Sequence, residues 1–402
     1  VKKYAELLRT PGVGRILVAQ LVARFPGGML ALGVLIHVEG IFHSYGAAGL
    51  VLASMSVGQA VAGPLTSRWM VAWALRPVLI LTTIVCAVSL STIAFVPMPL
   101  PGLMAVAVVA GLSLPPVQPA VRTIYPKMVN GRQLTPLFSL DATAQEVIWI
   151  VGPVLVTFVS TQASSVLGLM LSVFFLLAGG AWFIASPEVG RVRIPRTTRR
   201  LGAVLKRPMV LLTTVFGILL VGLFSATETG VVAMFGDGSP EAGIVLSVWA
   251  LSSLTGGLAF GHRAPGPWSL AKRLGIVVFG SVLAAVAWDF WSLGAALLIG
   301  GVFIAPSLAA MFAMVSVSVR FSDTAEAYGW VNTGQLIGAA VGAALAGFAI
   351  DEVGPDGGFW VAVAFGAVLV LCTVVFRRTL PDLRNRDASP IPDTEPVPTQ
   401  PS

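Results

Sequence analysis

Twelve runs of about 20 mostly apolar residues follow one another along this chain, and a run of that length is what a helix needs to cross a bilayer core. They cover 12–37, 46–67, 77–97, 102–122, 137–160, 164–186, 209–235, 242–261, 274–291, 293–319, 327–350 and 358–376. Only 11% of the residues are charged and 56% are hydrophobic, whereas a soluble domain carries about 25% charged residues. A water-soluble globule of this composition would lack a polar surface. The breaks between runs are turn-rich, as at Pro97-Met98-Pro99-Leu100-Pro101 and Gly236-Asp237-Gly238-Ser239-Pro240. The ninth and tenth runs are divided only by Asp289 and Trp291.

Lys and Arg settle the direction of insertion. With the N-terminus inside, the inner breaks hold Arg68, Arg76, Arg122, Lys127, Arg132, Arg263, Lys272, Arg273 and Arg320, and the segment after the last run holds Arg377 and Arg378. Outer breaks hold no Lys or Arg but carry Glu39, Asp237, Glu241, Asp289, Asp351, Glu352 and Asp356. One missed span would invert every later loop, so the asymmetry supports the count as well as the orientation. Between the sixth and seventh runs lies a basic segment with Arg191, Arg193, Arg196, Arg199, Arg200, Lys206 and Arg207. The expected organisation is a first bundle over 1–186, a linker over 187–208, a second bundle over 209–378 and a Pro-rich tail over 379–402, too polar to fold alone. The linker is expected to tether the bundles, and its arginines suit anionic lipid headgroups.

The net charge of +7 does not point to nucleic acid, because the basic residues sit in short breaks rather than on one soluble face. Cys86 and Cys372 lie in separate apolar runs and are expected to be membrane thiols without a disulfide or metal role. No small-residue cleavage site with a soluble domain behind it follows the first run, which is therefore expected to stay as a span. No Walker A loop and no Gly-x-Ser-x-Gly elbow occurs. His37, His43 and His262 form no metal-ligand pattern. An enzyme, a bound cofactor and a metal centre are therefore not expected.

The halves repeat. A shift of about 190 residues matches Gly111 with Gly301, Pro116 with Pro306, Gln145 with Gln335 and Gly152 with Gly342. A shift of 194 aligns GLVLASMSVGQAVAGPL, from Gly49, with GIVLSVWALSSLTGGLA, from Gly243. Six spans, a basic loop and six more spans resemble the major facilitator superfamily over nearly the whole chain. In the break after the second span, Gly63, Arg68 and Arg76 match the family's inner-face signature G-x-x-x-D-R-x-x-R-R, with Ser67 in place of its Asp. Gly152-Pro153 is similar to an element of proton-driven antiporters. The stretches ARFPGGM, LPPVQPAVR, LDATAQEVIWIVGP and GWVNTGQLIGAAVGAALAGF are similar to actinobacterial permeases assigned as exporters of drugs or metabolites. The resemblance implies an all-α integral membrane protein of two pseudo-symmetric six-helix bundles. It implies too that Gly63, Arg68 and Arg76 form a gating motif at the inner face.

Ionisable side chains inside a bilayer are costly and mark candidate functional sites. Arg24 lies about 12 residues into the first span, roughly 18 Å deep, and Glu146 lies within about one helical turn of that depth in the fifth. An Arg24–Glu146 pair is therefore expected, either as a site for a proton or an anionic substrate, or as a fixed structural pair. Asp141, Gln145 and Trp149 form an i, i+4, i+8 stripe suited to a polar cavity, although Asp141 near the span end could equally reach the interface. Asp141 and Glu146 point roughly 140° apart. Glu228, late in the seventh span, is a second candidate proton carrier or else a solvated vestibule residue. Asn332 and Gln335 are candidate cavity-lining residues or interhelical hydrogen-bonding groups. Gly334, Gly338 and Gly342 have the small-xxx-small spacing of closely packed helices. Pro26-Gly27-Gly28 weakens the first helix beside Arg24.

The expected protein is a monomeric multi-pass secondary transporter of the cytoplasmic membrane with both termini inside. It moves a small organic substrate by alternating access, favouring export in exchange for protons. Uptake of a polar metabolite by proton symport or facilitated diffusion is the alternative. A non-transporting receptor or scaffold would need no titratable group within the bilayer.

Overall fold

The computed structural model describes residues 2–195, 200–236, 239–266, 268–384 and 387–393. Arg196, Arg199, Asp237 and the tail from 394 onward lie outside the described residues. Helices are α1 (Lys2–Arg9), α2 (Val13–Arg24), α3 (Pro26–Phe42), α4 (Tyr45–Trp73), α5 (Leu75–Phe95), α6 (Leu100–Leu112), α7 (Val117–Ile124), α8 (Gly131–Gln162), α9 (Ser165–Ala185) and α10 (Pro187–Arg191). The second half supplies α11 (Pro208–Phe235), α12 (Pro240–Phe260), α13 (Ser269–Ala285), α14 (Phe290–Gly301), α15 (Ile304–Ser318), α16 (Thr324–Val353) and α17 (Asp356–Val375). Among the described residues, 11 helical segments are long and apolar enough to cross a membrane. At 17 residues, α13 is the short twelfth piece.

Helix ends follow from local chemistry. Ser44, Ser164 and Ser239 accept from the backbone N–H three residues on and so cap α4, α9 and α12. Asp289 and Ser292 form a reciprocal capping box that opens α14. The first span breaks at Phe25, where Pro26 cannot donate to the preceding turn. The fourth and tenth spans break at matching places, after Leu112 and after Gly301.

Lipid tails are as apolar as leucine, so these helices associate through close packing at small residues. The same contacts occur twice. A Cβ at Gly152 would lie 3.1 Å from the Gly28 carbonyl carbon, and one at Gly342 would lie 2.7 Å from Gly222 Cα. Likewise a Cβ at Gly111 would meet the Met55 carbonyl carbon at 2.9 Å, and one at Gly301 the Trp249 oxygen at 2.7 Å. These pairs are related by the sequence shifts of 190 and 194, so the repeat is structural.

At the end of the bundle that carries α1 and residues 380–393, here the terminal face, the halves meet through two further equivalent contacts. Gly63 of α4 abuts α16, where a Cβ would lie 2.7 Å from Thr333 Oγ1 and 2.9 Å from the Gly329 oxygen. Gly257 of α12 abuts α8, where a Cβ would lie 3.1 Å from Thr143 Cβ. Tyr4 of α1 crosses the seam, donating to the Gly257 carbonyl at 2.9 Å beside Ser139 Oγ at 3.1 Å. Burial raises the pKa of its hydroxyl above the ordinary phenol value, against the smaller opposing effects of Ser139 and the His262 backbone. Of the four apolar clusters among the described residues, the one at the terminal face draws on both halves. The other three each stay within one half.

Two segments differ from their expected character. The described parts of the linker, 187–195 and 200–208, are packed, with Val189, Val192, Ile194 and Val204 in the terminal-face core and the Gly202 N–H donating to Glu326 Oε1 at 2.7 Å. Residues 379–384 and 387–393 are not loose either, because Leu380, Leu383 and Ala388 supply enough apolar surface to dock on that core. Ile391 pairs with the Val319 oxygen at 2.9 Å, and Ser322 Oγ donates to Asp393 at 2.7 Å. The Ala388 N–H reaches the Gly131 oxygen of the other half at 3.4 Å. The tail thus straps one half to the other.

Candidate functional site

One face of α8 is fixed against the first span by Gly28, whose Cβ position is filled by the Ile148 carbonyl, and by Gly152 against Gly28. Residues 141, 145, 148 and 152 share that face by helical periodicity. Asp141, wholly buried, therefore points into the first bundle and is met by four donors. Gln20 Nε2 reaches its Oδ1 at 3.0 Å, Arg24 Nη1 at 3.1 Å and Tyr125 Oη at 3.2 Å, while Arg122 Nε reaches Oδ2 at 3.3 Å. Arg24 also donates to Gln20 Oε1 at 2.9 Å and to Gln145 Oε1.

Arg122 is 1% exposed and held on every side. Its guanidinium lies 3.4 Å from the Phe312 ring centroid in the other half. With the Gln118 amide turned so that its oxygen faces Arg122, that oxygen accepts from Nη2 at 2.6 Å and Nη1 at 2.8 Å, and its nitrogen donates to Asn332 Oδ1 at 3.0 Å. A continuous polar chain thus runs from Gln20 in the first half to Asn332 in the second. Two guanidiniums face one carboxylate, so the cluster keeps one unit of positive charge. Such a group is tolerated in low dielectric because each of its charged groups is hydrogen-bonded and the excess charge is shared with the partly exposed Arg24.

Several expected placements change. Arg24 is held by Asp141 rather than by Glu146, because the rotation of α8 set at Gly28 turns position 141 toward the first span. Asp141 is consequently no interface residue. Glu146 faces the second half, where Ser253 Oγ of α12 donates to its Oε1 at 2.9 Å. Trp149 leaves the polar stripe and is exposed, since eight residues overshoot two helical turns by roughly 80°. Ile148 takes its place. Glu228 is exposed on α11, Gln335 is half-buried on α16, and neither joins the charge cluster.

In the gating segment, Arg68 Nη1 lies 3.8 Å from Glu326 Oε2 across the seam. Arg76 instead stays within its half, donating to the Ile184 and Ser186 oxygens at 3.1 and 3.2 Å. Ser67 is buried at the Gly63–Gly329 crossing, where its small side chain allows the approach. Reading the sequence missed Gln20, Gln118, Arg122, Tyr125 and Ser253. Arg122 was assigned to an inner loop because it stands at the very end of the fourth run. The signals that pointed to these residues were Gln20 one turn before Arg24, and Gly152 three turns after Asp141 on the same face.

Comparison with known proteins agrees with this architecture. The family model described as Major Facilitator Superfamily matches residues 16–288 and 272–399. No curated protein sequence matches. Among solved structures, a bacterial homologue of the iron transporter ferroportin in an outward-facing state superposes with a TM-score of 0.75 at 13% identity, covering 91% of this chain and 99% of that one. The human organic anion transporter TETRAN gives 0.71 at 15% identity, with 90% and 98% covered. The Escherichia coli fucose:proton symporter gives 0.72 at 13%, with 91% and 98% covered. At such identities these structures speak for the fold alone. Together with the duplicated six-span halves, the family match over most of the length shows that this chain belongs to the major facilitator superfamily, whose members are secondary transporters and not enzymes.

Proposed function

We propose that this transporter exports a small organic solute across the cytoplasmic membrane in exchange for protons, with Glu146 as the proton carrier. The observation that carries the reading is the Glu146–Ser253 hydrogen bond, 2.9 Å across the seam between the halves. A carboxyl there gains or loses its partner when the halves rock, so proton binding and domain movement are linked. Glu228, exposed on α11, is a second proton site on the path to the face opposite the termini. The Arg24–Asp141–Arg122 cluster, with Gln145 and Asn332 beside it, supplies the charge that the substrate meets.

The terminal face holds Arg68, Arg76, Lys127, Arg132, Arg263, Lys272, Arg320, Arg377 and Arg378, which supports reading it as the cytoplasmic face. Closure there and separate cores elsewhere correspond to the state reached from outside. Gly63 and Arg68 lie at that closure, and Arg76 anchors the end of α9 behind it. The chain acts as a monomer, and its likeness to actinobacterial exporters supports the direction of transport.

Proteoliposomes with an imposed pH gradient and a pH-sensitive dye test the reading against a panel of organic solutes. Proton movement opposite to the solute supports antiport. Movement in the same direction establishes symport and removes the export assignment.

A further inference from the structure

Arg24 and Arg122 share one carboxylate but differ in what remains free. Arg122 spends Nε on Asp141, both Nη groups on Gln118 and its face on Phe312. Arg24 has five N–H donors and gives three of its contacts to Asp141, Gln20 and Gln145 among the described residues. Its side chain keeps 10% exposure, at the break between α2 and α3. One arginine fixes the cluster, and the other has donors left to meet a ligand.

Pseudo-symmetry shows what lies across from it. The contact pairs that relate Gly28 to Gly222 and Gly152 to Gly342 place Ile218 where the first half has Arg24, and Val331 where it has Asp141. Arg122 corresponds to Phe312. At these three equivalent positions the second half is therefore uncharged. Trp249, half-buried one turn from Ser253, packs edge-on against Phe224 with centroids 5.5 Å apart. A site with one excess positive charge on one wall and an apolar, aromatic wall opposite discriminates by both features at once.

Building on the transporter reading above, we propose that the substrate is an amphiphilic organic monoanion. Its carboxylate binds the free edge of Arg24 beside Gln145, and its apolar body lies toward Ile218 and Trp249. A second negative charge on the ligand would face no further cation, and a cationic ligand would meet the excess charge of the cluster.

Thermal unfolding of the purified full chain, at constant ionic strength, tests this with four probes: 3-phenylpropionate, 3-phenylpropionamide, 2-phenylethylammonium and acetate. The expected result is a saturable rise in Tm with 3-phenylpropionate only, needing at least about tenfold more ligand in Arg24→Gln. Arg24→Lys, which keeps the charge beside Asp141 but loses the planar fork, should fall between; it also serves if the glutamine variant does not fold. An equal shift from the amide or the ammonium, a shift unchanged in both variants, or no shift from 3-phenylpropionate overturns the proposal. Carboxylate binding through Arg24 without proton-linked flux in vesicles would count against antiport and leave this site standing. Proton-linked flux of amines alone would do the reverse.

Discussion

Arg24 lies 3.1 Å from Asp141, while Glu146, five residues further along the same helix, is bonded to Ser253 in the opposite half. One helix thus presents a carboxylate locked inside its own bundle on one side and a carboxyl at the moving seam on the other. The structural role and the proposed proton-carrying role thus fall to two acidic residues five positions apart on one helix.

Replacing the locked carboxylate exposes that division. Asp141→Asn leaves two guanidiniums buried without a counter-charge, and breaking a buried pair costs about 3–5 kcal/mol. We expect a large loss of thermal stability and little folded protein. Adding Arg24→Gln to Asp141→Asn should cost much less than the sum of the two single changes, as a double-mutant cycle will measure.

A side chain at the seam should prevent closure. In Gly63→Val the new Cβ meets the Gly329 oxygen at 2.9 Å, a backbone atom that cannot swing aside. Hydrogen exchange in residues 257–263 and 326–333 should rise, since both sit at the terminal face and would meet water once the halves part. Unchanged exchange would mean that this crossing does not hold the face shut.

Removing residues 379–402 strips Leu380, Leu383 and Ala388 from the core. Each buried leucine is worth about 1.5–3 kcal/mol, so the truncated chain should melt several degrees lower and exchange faster at 319–323. A single Leu383→Asp change should do much of the same.

Acid should weaken the start of the linker. Arg15 Nη2 donates to Glu188 Oε1 across the terminal face. Burial alone would raise the pKa of Glu188, but its bonds from Arg15 and its own backbone N–H outweigh that and hold the carboxyl pKa below the usual 4.5. A depressed folded value means the contribution is present above about pH 4.5 and is lost as pH falls through the folded value. Wild type should therefore be more stable than Glu188→Gln at pH 7, and the difference should vanish in acid.

Much of this was legible in the residues. Bilayer-length runs, the basic faces and the spacing of Gly111, Gly152, Gly301 and Gly342 carried the duplicated fold, because membrane crossing and glycine-mediated packing leave regular marks. Arg24 stood out as a candidate because a charge inside an apolar run is costly. Its partner was not legible from depth, since depth matched Glu146 to Arg24 and left Asp141 nearer the span end, whereas the rotation of α8 turns Asp141 toward Arg24. That rotation is set by Gly28 against Ile148 and Gly152, a contact between distant spans. Arg122 was hidden for a different reason: the fourth helix breaks at Ser113–Pro116 and turns a residue at the span's end back into the core.

Proton flux in vesicles carrying Glu146→Gln tests the central claim most directly. Glutamine can still accept from Ser253, so folding and the closed face should persist, but no proton can be carried. The account predicts that solute-dependent proton movement falls to background while solute exchange without a pH gradient survives. Proton-coupled transport at the wild-type rate in this variant would contradict it.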